Sequence, residues 1–178
     1  LTPNSSDTEP IGTEEEAAMA EHDQYVTLGA AEEVFAIPVA QVQEILDLRP
    51  IARLPHAPAS FLGLTDVRGH SVPVVDLRRL LGVPAAEASQ GTRILVLELD
   101  LGGRRLRIGL LVDRVFEVTG LDAAQSEPAP DIGRRWRSDC IRGIGRRAGG
   151  FVVVLDMPRL IGADDGAAML LDDAALAA

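Results

Sequence analysis

Two stretches of this chain repeat each other at fixed offsets, and that repetition constrains the fold more than any single motif. Shifted by 80 positions, residues 61–82 lie on 141–162 without a gap. Gly63, Gly69, Val72, Val74, Asp76, Arg79, Leu80 and Gly82 then meet Gly143, Gly149, Val152, Val154, Asp156, Arg159, Leu160 and Gly162. Shifted by 73, residues 34–45 lie on 107–118, and Val39, Val42 and Glu44 meet Val112, Val115 and Glu117. The chain is therefore two similar units in tandem. Each reads as hairpin, short turn, hairpin, aspartate-capped helical turn, glycine.

The local patterns agree. Residues 24–29 and 33–37 alternate around Ala30-Ala31-Glu32 as a hairpin, and 61–68 with 71–75 do so around Gly69-His70. Residues 92–99 and 104–112 form a third hairpin across Gly102-Gly103, and 141–146 with 151–155 a fourth across Gly149-Gly150. Val39, Val42 and Ile45 recur at three-residue steps, which predicts a short helix or turn over 39–46. Asp76 and Asp156 are placed to cap helical turns, with Gly82 and Gly162 closing them as left-handed C-caps. About five short strands per unit suit a small closed barrel, because closure removes exposed edges. The expected division is an acidic, disordered leader over 1–23, a first β-barrel over 24–89, a second over 90–162 and a C-terminal helix over 163–178. Asp164 or Asp165 would cap that helix, and Met169, Leu170, Ala174 and Leu176 would give it an apolar side.

Charge narrows the partners. All 17 basic residues are arginine, against 27 acids, for a net charge of −10. Seven of the acids fall in residues 1–23, which contain no arginine, whereas 24–162 is nearly neutral. Acidic ends without a basic surplus disfavour nucleic acid and anionic lipid. Neither an export signal nor a membrane-length apolar run is read, and the single Cys140 excludes an internal disulfide, so the expected compartment is the cytoplasm. His22, His56 and His70 show no metal-ligand spacing, and no metal or other cofactor is expected.

The search for catalytic chemistry returns little. Gly143-Ile144-Gly145-Arg146-Arg147-Ala148 matches a dinucleotide fingerprint, but a glycine turn and a strand follow where a phosphate-binding helix is needed. His56 and His70 lie in loop and turn positions away from any nucleophile, and Cys140 reads as a small buried residue. Arg134, Arg135 and Arg137 around Trp136 form a cluster bracketed by Asp131 and Asp139, open to reading as a solvated loop or a protein interface. The polar pair without an architectural purpose is Glu44 and Arg68, read as a charged rim beside an apolar groove lined by Val42 and Val118. The chain is not expected to be an enzyme.

Several segments carry a resemblance. Val42-Gln43-Glu44-Ile45, Leu54-Pro55 with Pro58, Gly63-Leu64-Thr65-Asp66-Val67-Arg68-Gly69 and Val72-Pro73-Val74-Val75-Asp76-Leu77-Arg78 together resemble the CheW family. Gly109-Leu110-Leu111-Val112-Asp113-Arg114-Val115, Pro128-Ala129-Pro130 and Leu160-Ile161 extend the likeness from about Gln24 to the C-terminus. The resemblance implies an all-β fold of two tandem SH3-like five-stranded barrels with short helices. It implies a non-enzymatic adaptor in two-component chemotaxis signalling, joining the cytoplasmic tips of methyl-accepting receptors to the regulatory domain of a CheA-type histidine kinase. Such a protein works in the cytoplasm at membrane-associated receptor arrays, without touching nucleic acid or the bilayer itself. Carried over, Val42, Glu44, Arg68 and Val118 are the receptor-binding residues, with Arg68 pairing to Glu44 and kinase contacts at the barrel ends. Asp66 and Val67 stand where the family motif has asparagine and leucine, and Asp66 offers Arg68 a second carboxylate. Two alternatives stand beside this reading: an adaptor in a chemotaxis-like pathway for pili or gene expression, and an SH3-like nucleic-acid module built on Arg134–Arg137.

Overall fold

Ten strands and two short helices make up the computed structural model, which describes residues 24–121, 138–147, 149–164 and 167–168. The acidic leader, the 134–137 arginine cluster, Pro128–Pro130 and most of the expected C-terminal helix lie outside the described residues. The first half supplies β1 (Gln24–Ala30), β2 (Glu33–Pro38), a 3-10 turn (Val39–Gln41), β3 (Val42–Asp47), β4 (Phe61–Val67), β5 (His70–Asp76) and α1 (Leu77–Leu80). The second supplies β6 (Arg93–Leu101), β7 (Arg104–Val112), β8 (Arg114–Gly120), a 3-10 turn (Ser138–Cys140), β9 (Ile141–Arg147), β10 (Gly150–Leu155) and α2 (Met157–Ala163). The fold is all-β dominated, as the repeat requires.

The strands do not sort by chain half. One five-stranded sheet runs β8-β1-β2-β10-β9 and the other β3-β6-β7-β5-β4. Exchanging β1–β5 with β6–β10 turns one order into the other, so the sequence repeat is realised as a pseudo-two-fold relation. The expected division at residues 89 and 90 falls between α1 and β6, yet each sheet takes strands from both sides of it. Hairpin edges cause this: β2 pairs in parallel with β10, and β5 with β7, because each hairpin satisfies its free edge on a strand of the other half. The barrels share one interior. Leu28 and Ile37 from the first sheet pack with Leu95, Leu97, Ile108 and Leu110 from the second, and with Leu77 and Met157 of the helices. Each such burial contributes about 1.5–3 kcal/mol over exposure.

The caps obey the repeat. Asp76 accepts the Arg78 N–H at 3.0 Å and Asp156 the Arg159 N–H at 3.1 Å. The same aspartates donate their own N–H groups to Ser60 O and Cys140 O, 80 positions apart. Gly162 departs from expectation, lying inside α2 because that helix continues to Ala163. The predicted helix over 39–46 is also corrected. Only Val39–Gln41 make a turn, and β-branched Val42 and Ile45 belong to β3. After α2, Asp164 accepts the Ala167 N–H at 2.8 Å and the Ser60 hydroxyl at 2.7 Å.

Candidate functional site

The site begins with a defect in β3. Val42 pairs with Leu97 and Glu44 with Val96, so Gln43 is an extra residue that bulges the strand. A bulge bends its strand and re-aims the next side chain. Here it sends the Glu44 carboxylate across the open seam between β3 and β4, the two outer strands of the sheet. Glu44 Oε2 lies 3.2 Å from Arg68 Nη2, and Oε1 lies 3.7 Å from Arg107 Nη2. The Glu44 side chain is 20% exposed and that of Arg68 is 78% exposed.

Arg68 sits in an unusual place. The β4–β5 hairpin closes with Val67 opposite His70, leaving Arg68 and Gly69 as a two-residue turn with φ of 54° and 82°. Positive φ at both positions marks a type I′ turn, which favours Asn-Gly. An arginine there costs of order 1 kcal/mol in backbone strain, the kind of cost that collects at functional positions. Asp66 does not compete for its guanidinium. That carboxylate instead accepts the Gly69 N–H at 3.0 Å, and the Asp66 carbonyl accepts Arg49 at 2.8 Å. Thus the aspartate standing in for asparagine supports the turn and leaves Arg68 to Glu44.

The four expected site residues are not all together. Val42 is half-buried against the common core, beside Glu44 and the seam. Val118 lies on β8 of the other sheet, opposite Val26, and is 52% exposed. A hollow of about 750 Å³ lies elsewhere: Leu54, Pro58, Phe61, Arg53, Arg79 and Leu111 are among its walls, and none of Val42, Glu44, Arg68 or Val118 is.

Sequence reasoning missed a stronger ion pair at the edge of this hollow. Arg78 clamps both oxygens of Asp113, at 2.9 and 3.1 Å from Nε and 2.7 Å from Nη2. Asp113 also accepts the N–H of Ala31, whose φ of 56° turns the β1–β2 hairpin, at 2.7 Å. Burial opposes the Asp113 charge, but Arg78 and this N–H outweigh it and hold the carboxyl below the usual range. The hydrogen bond to Asp113 raises Arg78 in turn. Asp76 moves the other way, raised by burial despite its bond from the Arg78 N–H. Asp113 lies within the Gly109–Val115 segment that marks the resemblance, so the signal was in view without a partner. Arg107, the second cation near Glu44, carried no sequence signal, because β7 reaches β3 only through β6.

Two barrels fused through one core, with a bulge-aimed carboxylate and a strained exposed arginine on one edge, define a protein-interaction scaffold. Comparison places it more closely. The CheW-like domain family matches residues 24–165. The chemotaxis protein CheW of Klebsiella aerogenes is 30% identical over 149 residues, covering 84% of this chain and 85% of its own. CheW of Rhizobium meliloti is 28% identical over 134 residues, covering 75% and 84%. A shorter match, 34% over 83 residues, is to Protein PilI of Pseudomonas aeruginosa, covering 46% and 44%. The crystal structure of the scaffolding protein TtCheW from Thermoanaerobacter tengcongensis superposes with a TM-score of 0.69 at 23% identity, covering 89% of this chain and 94% of that one. The chain belongs to the CheW family. It is a chemotaxis coupling adaptor with two SH3-like barrels.

Proposed function

We propose that this chain couples the cytoplasmic tips of chemoreceptors to the regulatory domain of a CheA-type histidine kinase, acting as a non-enzymatic scaffold at membrane-associated arrays. Among the described residues, no helix is long and apolar enough to cross a membrane, so attachment would come through the receptor. The receptor meets Val42, Glu44 and Arg68 on the first-barrel edge, and Val118 on the second. One observation carries this reading: Arg68 is held at φ 54°, outside the ordinary range for its type, with its guanidinium presented to solvent beside Glu44. A turn evolved only for folding would place asparagine or glycine there.

The test is separate pull-down of a receptor tip fragment and of the kinase regulatory domain. Glu44→Gln removes the charge without placing a third cation beside Arg68 and Arg107. It should weaken receptor capture and leave kinase capture intact; equal receptor capture at low salt removes Glu44 from the contact. The partial likeness to PilI favours a second reading, an adaptor serving a chemotaxis-like pathway. The same pull-down with receptors of each pathway separates the two.

A further inference from the structure

β7 carries an arginine where the repeat has an apolar residue. Shifted by 73, Arg107 meets Val34 of β2, which packs against the cluster of Ala36, Leu121, Val152 and Val154. Leu106 and Ile108, the neighbours of Arg107, both enter the shared core, so Arg107 points to the opposite face of its strand. That is the face of Gly109, where an added Cβ would meet Ile94 and Val74. A valine satisfies the equivalent place in the other barrel. The arginine instead brings a cost, because its Nε is buried and has no hydrogen-bond partner among the described residues. Glu98, directly across the β6–β7 ladder, is turned to Arg105 at 3.0 Å. What the Arg107 guanidinium reaches is Glu44, whose Oε1 lies 3.7 Å from Nη2.

The other barrel supplies the contrast. Glu117, the counterpart of Glu44, meets Arg147, and Val34 stands in the place of Arg107. Glu117 is exposed, whereas Glu44 is sheltered. A second cation therefore goes with a carboxylate drawn inward. The two arginines at Glu44 are also unequal. Arg107 is half-buried in the middle of a strand, so its side chain gives up little further freedom by pairing. Arg68 sits on a turn with its guanidinium in solvent, where an ion pair by itself orders a long side chain only weakly.

We infer that Arg107 is a positioning residue of the receptor contact: it holds the Glu44 carboxylate at the first-barrel seam, and Glu44 in turn orients Arg68 toward the receptor tip. This role rests on the receptor reading above, and its first readout needs no partner. In the free full chain, three-bond couplings that report the Glu44 side-chain torsions should be single-valued in wild type and in Arg68→Asn, and averaged in Arg107→Val. Arg107→Val should melt no earlier than wild type, since Val34 fills the equivalent place and the unpaired Nε is removed. Its binding to a receptor tip fragment should weaken about two- to fivefold, the scale of one exposed ion pair, and Arg107→Lys should recover most of the loss. Added to Glu44→Gln, Arg107→Val should weaken binding no further, because both act through one carboxylate. Arg107→Met keeps the aliphatic stem without the charge, and replaces valine in each measurement if valine lowers the melting temperature.

Glu44 torsions that stay fixed without the Arg107 charge overturn the positioning role, as do torsions already averaged in Arg68→Asn. Losses that multiply in the double variant also overturn it, because Arg107 then acts apart from Glu44. So does wild-type binding by Arg107→Val while Glu44→Gln binds weakly. If Glu44→Gln itself binds at wild-type strength, the receptor reading of this edge falls and the proposal falls with it.

Discussion

The two barrel seams are built alike and finished differently. In each, a bulged outer strand aims a glutamate at an arginine across the gap: Glu44 to Arg68 in one, Glu117 to Arg147 at 2.8 Å in the other. The second bulge is fastened by Thr27, whose hydroxyl donates to the Glu117 carbonyl and accepts the Glu117 N–H. Exposure is then inverted. Glu44 is the sheltered partner and Arg68 the exposed one, whereas Glu117 is 51% exposed and Arg147 is 29% exposed, stacked on Phe116. Pseudo-symmetry therefore fixes where a charge pair sits but not which charge faces outward. The first barrel presents a cation, and the second presents a carboxylate with an aromatic ring.

The comparison breaks hardest at Gly63. It has φ of 142°, and a Cβ there would collide with the Ala52 carbonyl, where residues 52 and 64 form a bridge. Gly143, its repeat partner, has no positive φ. Gly63→Ala should cost about 3 kcal/mol or more in denaturant unfolding, because neither backbone can yield without losing the bridge. A cost near zero would mean that the bridge opens freely.

The Arg78–Asp113 clamp exists on one side only, since the repeat places Pro158 and Ala40 at the corresponding positions. Arg78→Ala leaves a half-buried carboxylate with only the Ala31 N–H, and should destabilise by about 1–3 kcal/mol. The pH dependence follows from the lowered Asp113 pKa. Its stabilisation is complete above the unfolded value near 3.9 and is lost as pH falls below it through the folded value. Asp76, raised by burial, changes in the opposite sense in both proteins. The gap in stability between wild type and Arg78→Ala should thus be widest near pH 6 and shrink by pH 3, roughly the span of those pKa values. A gap independent of pH would dissociate Arg78 from Asp113.

Much of this was legible because it is local. Asp76 and Asp156, the Gly69 turn and the four hairpins follow from spacing alone, and the repeat foretells the pseudo-two-fold. The exchange of strands was not legible. β2 and β10 lie more than a hundred residues apart, and nothing in Val34–Ala36 or Val152–Val154 names its partner, since all are apolar strand residues that any buried edge would accept. The exchange of strands across the expected division at residue 89 was hidden for that reason. The Glu44–Arg107 approach was hidden likewise, and the bulge at Gln43 disguised a strand as a helical period.

Glu44→Gln and Glu117→Gln sharpen the contrast between the seams. Glu44→Gln removes the pairs to Arg68 and Arg107 and Glu117→Gln the pair to Arg147, and each substitution should cost about 0.5 kcal/mol, the scale of exposed pairs. Receptor capture should fall for Glu44→Gln and change less for Glu117→Gln. Equal losses would make the glutamates equivalent seam fasteners and remove the functional distinction.

The smallest stability effect is the most discriminating. Arg68 combines a left-handed backbone, which disfavours it, with an ion pair worth about 0.2–1 kcal/mol when solvent-exposed. Arg68→Asn gives up that pair but suits the type I′ turn, recovering a similar amount of strain. The Asp66 bond to the Gly69 N–H survives, so the turn keeps its support. Folding stability should therefore stay within about 0.5 kcal/mol of wild type or rise. If Arg68 serves the turn alone, receptor capture will also be unchanged. If it is retained for binding, capture falls while the protein melts no earlier, because the strain supports a function that the fold does not need. A variant that both melts earlier and binds normally would make Arg68 a structural fastener of the first seam.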